Sequence, residues 1–181
     1  TMTVLDSARL RFEPMQDAHY DGLRRLNSDP LVMRFISGQP ETPDDTHAVI
    51  ARVKARWETL GYAWWSLIER DSGELIGAGC IQHLEHNTSN PHEIGWRLQP
   101  DRWGQGYAIE AAERMARFAF DDLGVPLLCA ICDPENAASR RVMEKLGMTY
   151  RGVETWHGTS VTAYGIDRAT WALRHGHDMA T

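Results

Sequence analysis

Residues 102–120 read RWGQGYAIEAAERMARFAF: two glycines, one residue apart, stand directly before a strongly helical run. Glycine inside a helix costs roughly 1 kcal/mol relative to alanine, so a pair at the entrance implies a task for the backbone itself. Beyond it, Ala112, Met115, Ala116, Ala119, Phe120 and Leu123 trace one apolar stripe. Glu110, Glu113, Arg114, Arg117 and Asp121 fill the opposite face, and Gly124 and Pro126 end the helix. HEIGWRL (92–98) ahead of the glycines reads as a strand. A strand turning through glycines into a helix makes an anion site, because the first turn has unpaired N–H groups and partial positive charge. A tight turn with a close helix–sheet approach would use the same two residues.

Two phosphate-binding patterns are absent. A P-loop needs Lys-Ser/Thr after its last glycine, and none follows Gly106. A dinucleotide fingerprint needs a third glycine where Ile109 stands, in a βαβ unit near its start.

Working outward, 8–15 reads as a first strand ended by Pro14, and 16–29 as a helix with Asp17 as its cap. A short helical turn at 29–36 follows. Residues 41–61 form a helix capped by Thr42, with Pro43 in its first turn and Gly61 past its end. Strands at 62–70 and 74–84 are joined by Asp71-Ser72-Gly73. LLCAIC (127–132) reads as a buried strand and 133–147 as a helix with Ala138, Val142 and Leu146 four apart and Gly147 at its end. Strands at 150–157 and 160–166 meet at His157-Gly158, and the tail 168–181 is helical before it frays. Strand-rich and helix-rich stretches interleave, so an α/β (α+β) domain is expected. It should be single, 1–181, with a core of about 8–166 and a tail from 167.

The net charge of −6, from 19 basic and 25 acidic side chains, argues against nucleic acid as the main partner. No apolar run approaches the roughly 18–20 residues of a membrane span, and no signal-peptide pattern opens the chain. A cytoplasmic protein with no membrane partner is expected. Cys129 and Cys132 have C-x-x-C spacing, but on a strand they point to opposite faces, so both read as core residues. His83, His86 and His92 fit no zinc spacing and read as solvated loop histidines, and no metal is expected. His175 and His177 have no role.

The stretches 93–112, 118–124 and 133–148, with 8–15 and 27–36, resemble the Gcn5-related N-acetyltransferase (GNAT) family over about residues 8–166. The likeness is greatest to its RimJ/RimL-like branch, which acetylates N-terminal amines of ribosomal proteins. It implies a mostly antiparallel, splayed central sheet flanked by helices, with acetyl-CoA as donor substrate. The family's Q/R-x-x-G-x-G/A motif falls on Trp103, Gly104, Gln105, Gly106, Tyr107 and Ala108, with Trp103 in place of the usual Gln or Arg. The mapping implies that the backbone N–H groups from Gln105 to Ala108 hold the pyrophosphate. It further implies pantetheine contacts from the backbone around Trp96 and Leu98 and from Asn136, with Ser139 near the thioester sulfur. Arg140, Arg141 and Lys145 are candidates for the CoA 3′-phosphate, a solvated helix face being the alternative.

The resemblance implies transfer of acetyl to a primary amine, a protein N-terminal α-amine among the options. A small-molecule amine such as an antibiotic or polyamine, a silent CoA-binding module, and a nucleotide-phosphate binder are the alternatives. A lysine amine is neutral only about one part in 2,500 at pH 7, costing about 4.6 kcal/mol to deprotonate, whereas an α-amine costs about 1.4 kcal/mol. The Glu and Tyr that serve some relatives fall on Ile131 and Met143, which move no proton. Glu93 is the candidate base, acting through one water, with a structural carboxylate as the alternative. Ser139 is the candidate donor to the leaving sulfur. Trp64, Trp65 and Trp156 are candidates to line an acceptor pocket. The edge of the closing hairpin leaves a homodimer open.

Overall fold

The structure is a computed structural model in which residues 2–175 are described; His177 lies outside them. Eight strands form a sheet in the order β1-β2-β3-β4-β5-β6-β8-β7. They are β1 (Leu5–Asp6), β2 (Leu10–Pro14), β3 (Trp64–Glu69), β4 (Leu75–His83), β5 (His92–Leu98), β6 (Leu127–Cys132), β7 (Thr149–Trp156) and β8 (Thr159–Asp167). β5 and β6 pair in parallel, His92 opposite Leu128 and Glu93 opposite Cys129. The pairs β1–β2, β2–β3, β3–β4, β6–β8 and β7–β8 are antiparallel, as expected. The chain divides into two compact units. One runs to Cys80 and resumes at Trp96–Arg114; the other comprises Ile81–Gly95 and the chain from Met115 onward.

In the first unit, β2 alternates as a half-buried strand must, with Leu10, Phe12 and Pro14 buried and Arg11 and Glu13 turned outward. The first helical segment differs from the sequence expectation. Residues Asp17–His19 form a 3₁₀ turn entered from Gln16, and α1 (Tyr20–Asn27) follows. Asp17 is therefore no cap; its carboxylate pairs with Lys54 at 2.8 Å. The short helix α2 (Pro30–Met33) is capped by Asp29, whose side chain accepts from the Leu31 N–H at 2.9 Å. Helix α3 (Pro43–Leu60) has the expected punctuation. Thr42 and Asp45 form a reciprocal capping box, Pro43 opens the helix, and Gly61 closes it at φ +82°.

Trp57 of α3 packs edge-on against Trp65, ring centroids 5.3 Å apart, and its indole N–H donates to the Trp64 carbonyl at 2.8 Å. Trp65 is wholly buried and its N–H donates to the Thr3 carbonyl, so it is a core residue and lines no acceptor pocket. Ser66, His19 and Glu13 form a chain of polar contacts, 2.8 Å and then 3.1 Å, that resembles a hydrolase triad. Ser66 is fully buried, so no substrate reaches its hydroxyl and the chain is a structural strut.

In the second unit, β6 buries Leu128, Cys129, Ala130 and Cys132, and the thiols of Cys129 and Cys132 form no disulfide. Helix α5 (Ala137–Leu146) is capped by Asn136 and ended by Gly147 at φ +97°. Its buried residues are Met143 and Leu146, while Ala138 is exposed and Val142 half-buried, so of the three apolar residues spaced four apart only Leu146 is fully buried. The β7–β8 turn places His157 and Gly158 at φ +54° and +71°, the left-handed pair of a type I′ hairpin. Helix α6 (Arg168–His175) carries Trp171, which stacks between Phe120 and His175 at 5.3 and 3.8 Å.

Candidate active site

The glycine stretch is not continuous with β5. A 3₁₀ turn at Pro100–Arg102 intervenes, and helix α4 (Tyr107–Arg117) begins immediately after Gly106, passing into a π-helical stretch at Phe118–Asp122. Gly104 and Gly106 sit at φ +72° and +83°, where any L side chain is strained. They belong to the turn, and the first helical bond runs from the Glu110 N–H to the Gly106 carbonyl at 3.2 Å. The N–H groups of Gln105, Gly106, Tyr107 and Ala108 meet no acceptor among the described residues. A Cβ built on Gly104 would enter open space, and one on Gly106 would meet only the Arg9 guanidinium, at 3.4 Å. Exposed, donor-rich and side-chain-free, this turn fits a pyrophosphate group.

Two ion-pair clusters brace it, and neither was legible from motif spacing. On one side, Arg102 donates to both Glu69 oxygens at 3.0 Å and to Glu74 at 2.7 Å, and the Tyr107 hydroxyl donates to Glu69 at 2.5 Å. Glu69 thus holds residues at both ends of the glycine turn. The Arg102 guanidinium, with help from Ser72 and Tyr107, pulls its carboxyl down to about 2. On the other side, Arg9 donates to Glu110 at 2.7 Å and to the Gln105 carbonyl at 3.0 Å, its guanidinium 4.0 Å from the Tyr107 ring centroid. Glu110 also accepts from the Ser7 hydroxyl and the Arg9 N–H, so it does not sit on a solvated helix face. Trp103 is exposed and anchored, its indole N–H donating to the Leu98 carbonyl at 2.9 Å. The Gln105 side chain donates to the Asp101 carbonyl at 2.9 Å. Trp96, the other backbone candidate, is half-buried on β5.

In the second unit, the Asn136 side-chain carbonyl accepts the Ser139 N–H at 3.1 Å, so Asn136 acts as the helix cap. That bond leaves its amide NH₂ and the half-buried Ser139 hydroxyl available. Glu93 is buried, and burial pushes its carboxyl up to about 7 against the pull of one hydrogen bond from Gln82 at 3.1 Å. A carboxyl that titrates near neutrality is suited to accepting a proton. Ile131 and Met143 are half-buried and buried respectively, and carry no titratable atom. His83 and His92 are not solvated as expected: their ring centroids lie 3.8 Å apart with the planes tilted by 36°, His83 bonds to the Asn90 carbonyl at 2.7 Å, and burial with the neighbouring His83 takes His92 down to about 4. His86 is exposed. Arg140 is half-buried while Arg141 and Lys145 are exposed, and the Trp156 indole donates to Glu154 at 2.8 Å. Among the described residues no helix is long and apolar enough to cross a membrane.

Comparison with known proteins agrees with the geometry. Residues 9–149 match the model of an acetyltransferase (GNAT) domain. FsC-acetyl coenzyme A-N(2)-transacetylase of Aspergillus fumigatus is 33% identical, covering 93% of this chain and 77% of that protein. An acetyltransferase structure from Agrobacterium tumefaciens superposes with a TM-score of 0.79 at 26% identity, over 92% of this chain and 95% of that one. RimL, a ribosomal L7/L12 alpha-N-protein acetyltransferase solved with CoA, shares the fold with a TM-score of 0.77 at 16% identity, covering 91% and 98% of the two chains.

Proposed function

The chain belongs to the GNAT acetyltransferase family and draws its acetyl group from acetyl-CoA, and from that premise we propose that its acceptor is a primary α-amine, such as a protein or peptide N-terminus. The observation that carries the donor site is the run of four unpartnered N–H groups from Gln105 to Ala108 behind two left-handed glycines. We assign the pyrophosphate to those groups, the pantetheine arm to the backbone of Trp96 and Leu98 and to the Asn136 amide, and the thioester sulfur to the Ser139 hydroxyl.

The reaction asks for little base strength if the amine is an α-amine, which ordinarily titrates near pH 8. Glu93 takes the proton through one water as the nitrogen attacks the acetyl carbon. The C–S bond then breaks, and the CoA thiolate leaves with a hydrogen bond from Ser139. A small-molecule amine is the second reading. It is favoured by the name of the Aspergillus relative, which specifies an N(2) position.

The test is release of free CoA thiol with peptides bearing free or blocked N-termini and with polyamines. Turnover confined to free α-amines supports the reading; turnover of polyamines alone replaces it with the second.

A further inference from the structure

Arg97 on β5 has a side chain that the fold does not neutralise. Its guanidinium lies over the Trp64 ring, Cζ 4.8 Å from the centroid. Its Nε is shut off from solvent and bonds to nothing, and none of its N–H groups meets an acceptor among the described residues. The residue as a whole is half-buried, and of its guanidinium nitrogens only Nε is both unbonded and shut off from solvent. Glu41 is the carboxylate whose charge acts on it, but that pair is beyond ion-pair distance. The Glu41 Oε1 already accepts from Asn27 and Thr46, both at 3.0 Å. Glu41 also lines a cavity of about 290 Å³ with Met33, Ile36, Val49 and Arg52. A second guanidinium, Arg56 of α3, is half-buried and has no acceptor among the described residues either. Cys80 stands opposite Trp64 in the β3–β4 ladder.

Burying a cation without an anion is costly, and methionine or leucine would fill the same space at less expense. The planar guanidinium fork matches a carboxylate, and an indole beneath it fixes its plane while leaving its edge free. We propose that Arg97, seated on Trp64, binds a carboxylate carried by the acceptor amine. The inference rests on the transferase reading above for the identity of that ligand.

The experiment compares kcat/KM, by CoA release, for matched acceptors that differ in one charge. One arm sets a pool of free L-amino acids against the matching amino acid amides. The other sets Ala-Asp-Ala-amide against Ala-Asn-Ala-amide. The carboxylate member of one arm is expected to be favoured by about 10–100-fold, and which arm responds distinguishes an amino acid from an acidic peptide. Arg97→Met should bring the ratio near one, and Arg97→Lys should keep part of it. A ratio near one in the wild type, or one unmoved by Arg97→Met, overturns the inference while the transferase reading stands.

If no acceptor turns over, the Arg97 side-chain N–H resonance, assigned from its loss in Arg97→Lys, is followed in CoA-saturated protein on adding N-acetylglycine or N-acetylglycinamide. A saturable shift with the carboxylate alone supports the subsite. No shift, or a shift caused by CoA itself, overturns it. Saturation with CoA, measured separately, reports on the donor reading.

Discussion

Replacing Glu93 by glutamine removes the one carboxyl among the described residues that is both buried and lifted toward neutrality. In the folded protein it titrates at about 7 against an ordinary 4.5. Between those values the folded state holds a proton that the unfolded chain has released. Stability therefore falls as pH rises through this window and stays low above it. At about 1.4 kcal/mol per pH unit, that difference of about 2.5 is worth on the order of 3 kcal/mol. His92, next in sequence and lowered from 6.5 to about 4, works in the opposite sense, because the unfolded chain takes up a proton there first as pH falls. The two slopes oppose one another in the wild type, so the difference between the proteins is the quantity to measure. Urea unfolding at pH 4 and pH 8 should show Glu93→Gln gaining on the wild type by about 3 kcal/mol across that interval. If Glu93 is also the base, the acidic limb of the kcat profile near pH 7 disappears in the variant. Equal pH dependence of stability in the two proteins would refute the buried-carboxyl reasoning. A limb retained at full kcat would refute only its role as base.

Four further substitutions probe the glycine turn, its support and α5. Gly106→Ala, at φ +83°, should cost about 1–2 kcal/mol and raise the KM for acetyl-CoA at least tenfold. Gly73→Ala, at φ +73° in the β3–β4 hairpin, should cost about the same with KM unchanged; equal KM effects would mean that strain alone is responsible. Glu69→Gln should raise KM for acetyl-CoA several-fold with little change in kcat, and titration calorimetry should show the same loss of affinity for CoA. Ser139→Ala should lower kcat roughly 10-fold and leave thermal stability unchanged, since the capping bond uses its backbone N–H.

The glycine turn was legible because it is local: two glycines and the periodic apolar stripe after them occupy neighbouring residues, whereas the 3₁₀ turn at Pro100–Arg102 between the strand and the glycines was not legible. The cap of α3 was legible for the same reason, Thr42 answering an N–H three residues ahead; the equivalent role of Asn136 in α5 emerged only from the structure. What supports the turn was not legible. Glu69 reaches Arg102 and Tyr107 across 33 and 38 residues, and Arg9 reaches Glu110 across 101; no spacing rule links residues that meet only after the chain folds. Trp64 and Trp65 show the same limit at one residue's separation. Adjacent strand residues face opposite sides, which sends Trp65 into the core and leaves Trp64 beneath Arg97. Glu110 was placed on the polar face of its helix by periodicity, but its bonds to Ser7 and Arg9 appear only once the partner strand is placed.

Thermal unfolding of the protein with acetyl-CoA, CoA, ATP and NAD, each added separately, tests the donor site most directly. Ligand at about 100 times its dissociation constant adds about 2.7 kcal/mol, raising the midpoint by about 5–10 °C for a chain of this size. A rise with acetyl-CoA and CoA alone is the predicted result. No rise with either, or an equal rise with ATP, would contradict the assignment of the Gln105–Ala108 amides to the CoA pyrophosphate.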